Sequence, residues 1–194
     1  ALALRRPFLH AAMSTILYFD DPDVGLARET SHPTFARIAA QDFYYDGGDD
    51  FSPFGSDDGS DTLAALQEWY QDQTGGNAKA LRFLQQQLSD WDLPVPQDML
   101  AQDEAAKAQW MASDDMNQIY LRSVCRAHVA TAFGQLKITG SIDADLHQQA
   151  LLALACQQWL NTVARSKYPD WEYADPETGG LATRTYTFGL NLTF

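Results

Sequence analysis

Three features of the chain predict a mainly α-helical, α+β domain. Apolar residues recur at helical spacing through most of residues 57–166. Two long helical patterns, 114–138 and 143–166, flank a break at Gly140, which predicts a central antiparallel helix hairpin. Strand-like runs stand at residues 15–19 and 184–194, so a minor β element formed by the N- and C-terminal strands is expected.

Residues 15–19 (TILYF) are β-branched and aromatic and are bounded by Asp20-Asp21-Pro22. Ser31-His32-Pro33 then opens a helix, because proline suits the first helical position. An acidic, aromatic loop covers about residues 42–58. Asp57, Asp58 and Ser60 offer caps for a helix with Leu63, Leu66 and Tyr70 on one face. Gly75-Gly76 break that helix, and Asn77 caps the next, whose stripe is Leu81, Leu84, Leu88 and Trp91. A third helix is expected over residues 97–111, after Pro94 and Pro96. Ser113 should cap the first long helix, with Asp114 and Asp115 in its first turn. In the second, Leu146, Ala150, Ala153, Leu154, Leu160 and Val163 line one side, and Leu151 and Leu152 widen the arc. Residues 184–194 alternate apolar and polar side chains, the pattern of a one-faced strand.

At 194 residues and 45% hydrophobic content, one domain with a true core is expected. Residues 13–194 are read as that single acidic domain, and residues 1–12 as an N-terminal extension with Met13 as the natural start. Arg5 and Arg6 stand where a signal peptide would place apolar residues, so a cytoplasmic location is expected. The net charge of −13 comes from 26 acidic and 13 basic residues, with no basic stripe. Such a surface repels nucleic acid and favours a basic protein partner. No apolar run reaches membrane-spanning length, so no membrane partner is expected. Monomer and homodimer both remain open.

The densest chemistry lies in residues 42–61. Asp46, Asp49, Asp50, Asp57 and Asp58 are the candidate partner-binding carboxylates. Calcium is the cofactor that this segment suggests, because an EF-hand register fits residues 50–61 in part. Asp50, Ser52, Ser56, Asp58 and Asp61 would be the ligands, and Gly55 takes the turn position. Phe54 supplies no oxygen at the fifth position, and Asp61 is one methylene short of the usual glutamate, so no cofactor is predicted outright. The competing reading has the acids capping the helix and their own turns while Phe51 and Phe54 plug the loop into the core. Glu29 and His32 are the alternative acid–base pair for a small metal-dependent hydrolase. Cys125 and His128 lie three apart, as two ligands would. Cys125 and Cys156 are nearly equidistant from the turn and should lie level in the hairpin, as small buried thiols.

Residues 31–63, SHPTFARIAAQDFYYDGGDDFSPFGSDDGSDTL, resemble a segment of the YfeS-like group of small bacterial proteins. There a His-Pro helix leads to an acidic aromatic turn, Ser-Pro-Phe-Gly, Asp-rich residues and a Leu-bearing helix. The resemblance implies a bacterial, cytoplasmic protein with this loop as a family feature. It transfers no catalytic residue. The expected function is therefore a non-catalytic regulatory or protein-interaction module using the acidic-aromatic loop.

Overall fold

The computed structural model describes residues 16–72 and 79–167. Among them are six α-helices: α1 (Pro33–Ile38), α2 (Asp57–Asp72), α3 (Ala80–Trp91), α4 (Glu104–Met111), α5 (Asn117–Thr139) and α6 (Ala144–Lys167). Short 3-10 turns sit at Asp42–Tyr45 and Met99–Ala101.

The axis of the fold is α5. Every residue from Ala127 to Ile138 is buried, so this part of α5 is enclosed on all sides rather than one-faced. It packs most extensively against α6 and α2, and also against α3, α1 and α4. The predicted hairpin is thus the centre of the structure. Gly140 closes α5 in the left-handed conformation at φ +80°, and its N–H donates to the Leu136 carbonyl. A two-way clasp holds the turn: the Gln135 amide donates to Asp143 Oδ2, and the Asp143 N–H donates to Gln135 Oε1, each at 2.9 Å. Gly134 lets α2 in close, since a Cβ there would lie 2.8 Å from Leu66 Cδ2. Leu63, Leu66 and Tyr70 are buried as their spacing requires. In α3 the buried set is Ala80, Phe83 and Leu84, so the face is turned by one position from the predicted stripe.

Three boundaries differ from expectation. The helix expected over residues 97–111 arrives as a 3-10 turn followed by α4, because Asp103 caps α4 by accepting the Ala106 N–H at 2.8 Å. The first long helix starts later than expected, at Asn117. Asp114 instead closes its own turn on the Met116 N–H, and the Ser113 hydroxyl donates to the Trp110 carbonyl. The third concerns the minor β element. No strand occurs among the described residues, and residues 16–20 carry no regular secondary structure. The Tyr18 N–H donates to the Ile138 carbonyl at 3.0 Å, while Leu17 and Phe19 pack on the core. The β-branched and aromatic run is therefore explained by packing against the end of a helix. Its expected partner at residues 184–194 lies outside the described residues, as do residues 1–12, the Gly75-Gly76 break and Asn77.

Candidate functional site

The acidic loop is a stiff structure built from its own side chains. Phe54 is 1% exposed, and Ser52, Pro53 and Ser56 are buried with it. Phe51 is half-buried against the same core. The Ser52 hydroxyl donates to the Asp46 carbonyl at 2.6 Å, and the Ser52 N–H donates to the Asp49 carbonyl at 2.8 Å. Asp46 and Asp49 each accept a backbone N–H two residues on, from Gly48 and Phe51, the Asx-turn arrangement. Gly55 and Gly59 are obligatory. A Cβ at 55 would overlap the Asp49 carbonyl, and one at 59 would come within 2.6 Å of the Pro53 carbonyl. The cap of α2 is Ser56, whose hydroxyl accepts the Gly59 N–H at 3.2 Å. Asp57 and Asp58 occupy the first turn, where they oppose the positive end of the helix dipole.

A basic residue of α5 divides the carboxylates. Arg126 pairs with Asp58 Oδ2 at 3.4 Å and with Asp50 Oδ2 at 3.6 Å, and the Ser123 hydroxyl donates to Asp58 Oδ2 at 3.0 Å. Asp50 and Asp58 thus strap the loop to the central helix. Among the described residues, no ion pair includes Asp46, Asp49 or Asp57. Asp46 and Asp57 are exposed, and Asp49 is half-buried. Of the five candidate partner-binding residues, two are engaged by Arg126 and three present their charge at the surface.

The candidate calcium ligands have other occupations here. Ser52 and Ser56 are buried in the turn and the helix cap, Asp50 and Asp58 meet Arg126, and Asp61 is exposed. Among the described residues, no group of three His, Cys, Asp or Glu side chains gathers to hold a metal ion. His32 caps α1, its Nδ1 accepting the Thr34 N–H at 3.1 Å, and its own N–H donates to the Lys137 carbonyl at 2.8 Å. Its ring stacks edge-on with Tyr18 and fills the space beside Gly140 that a Cβ would need. Glu29 is exposed and lines a shallow groove of about 480 Å³ with Arg28, Asp42, Tyr45 and Asp46. Arg28 pairs there with Asp42 at 3.1 Å and lies over the Tyr45 ring. Glu29 and Asp46 therefore share a surface, and His32 does not line it.

Two basic residues escaped the sequence reading. One is Arg126. Its signal was its spacing from Arg122, a basic pair one helical turn apart in a chain with nine arginines. The other is Lys137, 0% exposed, with its ammonium 2.8 Å from Asp20 Oδ1. Asp20 also accepts from the Thr30 hydroxyl and exchanges two hydrogen bonds with the Gln67 amide. Burial holds the Lys137 ammonium below the ordinary lysine range, with Asp20 working against that shift.

The site and fold together describe a helical domain that carries a rigid acidic loop on its central helix. Over 143 residues the chain is 33% identical to the protein titled "Uncharacterized protein YfeS" from Escherichia coli (strain K12), a match covering 73% of this chain. The YfeS-like resemblance of residues 31–63 thus extends across most of the sequence, to a bacterial relative. The chain spans about half the length of that curated relative, 56%. No family model matches the chain. No solved structure matches it. Among the described residues, no helix is long and apolar enough to cross a membrane.

Proposed function

We propose that the chain is a non-catalytic, cytoplasmic interaction module whose acidic-aromatic loop docks a basic segment of a partner protein. The observation that carries this reading is the division of the loop's charge. Arg126 secures the inner carboxylates, and Asp46, Asp49 and Asp57 remain at the surface of a backbone braced by Phe54, Ser52, Gly55 and Gly59. A charged surface that is already rigid loses little entropy when it binds. Opposite charge on the partner would steer the encounter and make it salt-sensitive.

The test keeps the hydrogen bonds and removes the charge. Asp46→Asn, Asp49→Asn and Asp57→Asn together retain a side-chain carbonyl at each turn. The triple variant should melt like the wild type while capturing less of a Lys/Arg-rich peptide, and wild-type capture should weaken steeply as salt rises. Equal capture by both proteins, or capture indifferent to salt, overturns the reading. A second reading, a metal-dependent hydrolase, has one observation in its favour: Glu29, Asp42 and Asp46 line one groove. Melts in calcium, magnesium, manganese and zinc decide it, because a tight site raises the melting point by mass action.

A further inference from the structure

The start of α5 leaves two large apolar side chains in water. Ile119 is 55% exposed, and Met116, the N-cap residue, is 44% exposed. The other two exposed large hydrophobics among the described residues, Ile16 and Val24, lie before α1. The Ile119 N–H donates to the Met116 carbonyl at 2.9 Å, so the pair stands one turn apart. Met116, Ile119, Ser123 and Arg126 follow at steps of three, four and three, which puts them on one ridge of the helix. That ridge leads into the acidic loop. Ser123 and Arg126 hold Asp58, and Arg126 also meets Asp50. At the other end the Asn117 amide donates to the Trp110 carbonyl at 2.9 Å, which fastens the close of α4 to the start of α5.

Carboxylates stand at both ends of the ridge. Asp114 and Asp115 are exposed just before Met116, and Asp50 and Asp57 are exposed at the loop. The ten residues from Met116 to Arg126 span about 15 Å of helix. Between the ends, Arg122 is half-buried beside Ser123, and Arg126 is already paired. A matching ligand therefore carries positive charge at its two ends and an apolar, uncharged centre. A second copy of this chain, with its net charge of −13, matches the ridge poorly.

We propose that the Met116–Ile119 ridge of α5 docks an amphipathic helix of a partner protein, with apolar anchors one turn apart at its centre and Lys or Arg at both ends. The proposal rests on the reading of the chain as a docking module for a basic segment, and it adds the anchor. Burying apolar surface supplies affinity that exposed charge pairs alone do not. The acids at the two ends set the register of the bound helix.

The experiment titrates the full chain with two fluorescent helical peptides carrying Lys at both ends, one with leucine anchors and one with serine in their place. The leucine peptide should bind at least about tenfold tighter than the serine peptide. Met116→Ser combined with Ile119→Ser should erase that advantage. It should leave the melting point and the serine-peptide affinity unlowered, because both side chains already stand in water. A benzophenone in place of one anchor should cross-link within residues 110–123. Equal affinity of the two peptides overturns the anchor and leaves the docking of basic segments standing, whereas failure of both to bind overturns both readings. An anchor advantage that survives in the double variant, or a cross-link confined to other elements, overturns the proposal. So does a wild-type homodimer that the double variant dissociates, which would assign the ridge to a second copy.

Discussion

Replacing Lys137 with Met removes one half of the most deeply buried ion pair among the described residues. The Lys137 ammonium lies 2.8 Å from Asp20 Oδ1 and 3.4 Å from the Thr30 carbonyl, and the two side chains are 0% and 18% exposed. At an effective dielectric of about 20, charges at that separation attract by roughly 6 kcal/mol before desolvation is counted. Desolvation consumes most of this, so the intact pair contributes little net stability. Breaking it from one side is different, because the remaining charge keeps its desolvation cost and loses its partner, typically about 3–5 kcal/mol. Asp20 keeps Thr30 and Gln67 and some contact with water, which places Lys137→Met near the lower figure, about 3 kcal/mol. For a domain of this size that lowers the melting point by roughly 6–12 °C. Adding Asp20→Asn removes the stranded charge and leaves acceptors for the Gln67 amide. The double variant should therefore be more stable than Lys137→Met alone, with a coupling of at least about 1 kcal/mol. Urea melts of the wild type, both single variants and the double variant give the cycle. Additive single effects, or Lys137→Met within about 0.5 kcal/mol of wild type, would refute the reasoning.

Phe54→Ala should cost about 3–5 kcal/mol in urea melts, because it empties a fully buried site beneath the loop. Asp50→Ala should cost under about 1 kcal/mol in the same assay, since its pair with Arg126 is long and its side chain is 57% exposed. Leu154→Asp places a carboxylate in the α5–α6 interface and should abolish soluble expression or the cooperative melt. His128 is buried with Nδ1 2.8 Å from the Val124 carbonyl, and burial lowers its pKa below the ordinary 6.5. As pH falls through 6.5 the unfolded chain takes up a proton before the folded one, so stability declines on acidification. Melting points at about pH 7.5 and about pH 5.5 should differ less in His128→Gln than in the wild type.

What the sequence disclosed was local. Leu63, Leu66 and Tyr70 announced their face through spacing, and the lengths flanking Gly140 set α5 and α6 side by side. The roles of Phe51 and Phe54 were legible because Pro53 stiffens the turn between them and carboxylates flank it. Ser31-His32-Pro33 opens a helix as the proline suggested, with His32 Nδ1 accepting the Thr34 N–H. Non-local pairings were not legible. Nothing near Lys137 indicates Asp20, which reaches it from the opposite end of the chain, and an apolar helix pattern gives no reason to place an ammonium at its centre. Arg126 was hidden for the same reason, its partners lying in a loop far upstream. The strand expected at residues 15–19 failed on a related ambiguity. Residues such as Leu17 and Phe19 suit any extended chain half-buried on a core, and only the location of its hydrogen-bond acceptors tells a ladder from a helix end.

The finish of α5 has a consequence for how the molecule breathes. Its last-turn carbonyls accept N–H groups from three separate places: Leu136 from Gly140, Lys137 from His32, and Ile138 from Tyr18. Two of those donors belong to residues 16–32, a stretch before α1 with no helix or strand of its own. Their amide protons can exchange with solvent only when that segment lifts from α5, and lifting it also leaves the helix end uncovered and separates Asp20 from Lys137. Tyr18 and His32 therefore belong to a single opening unit, and their amide exchange rates should rise together, despite the irregular chain between them, whenever the Asp20–Lys137 pair is broken.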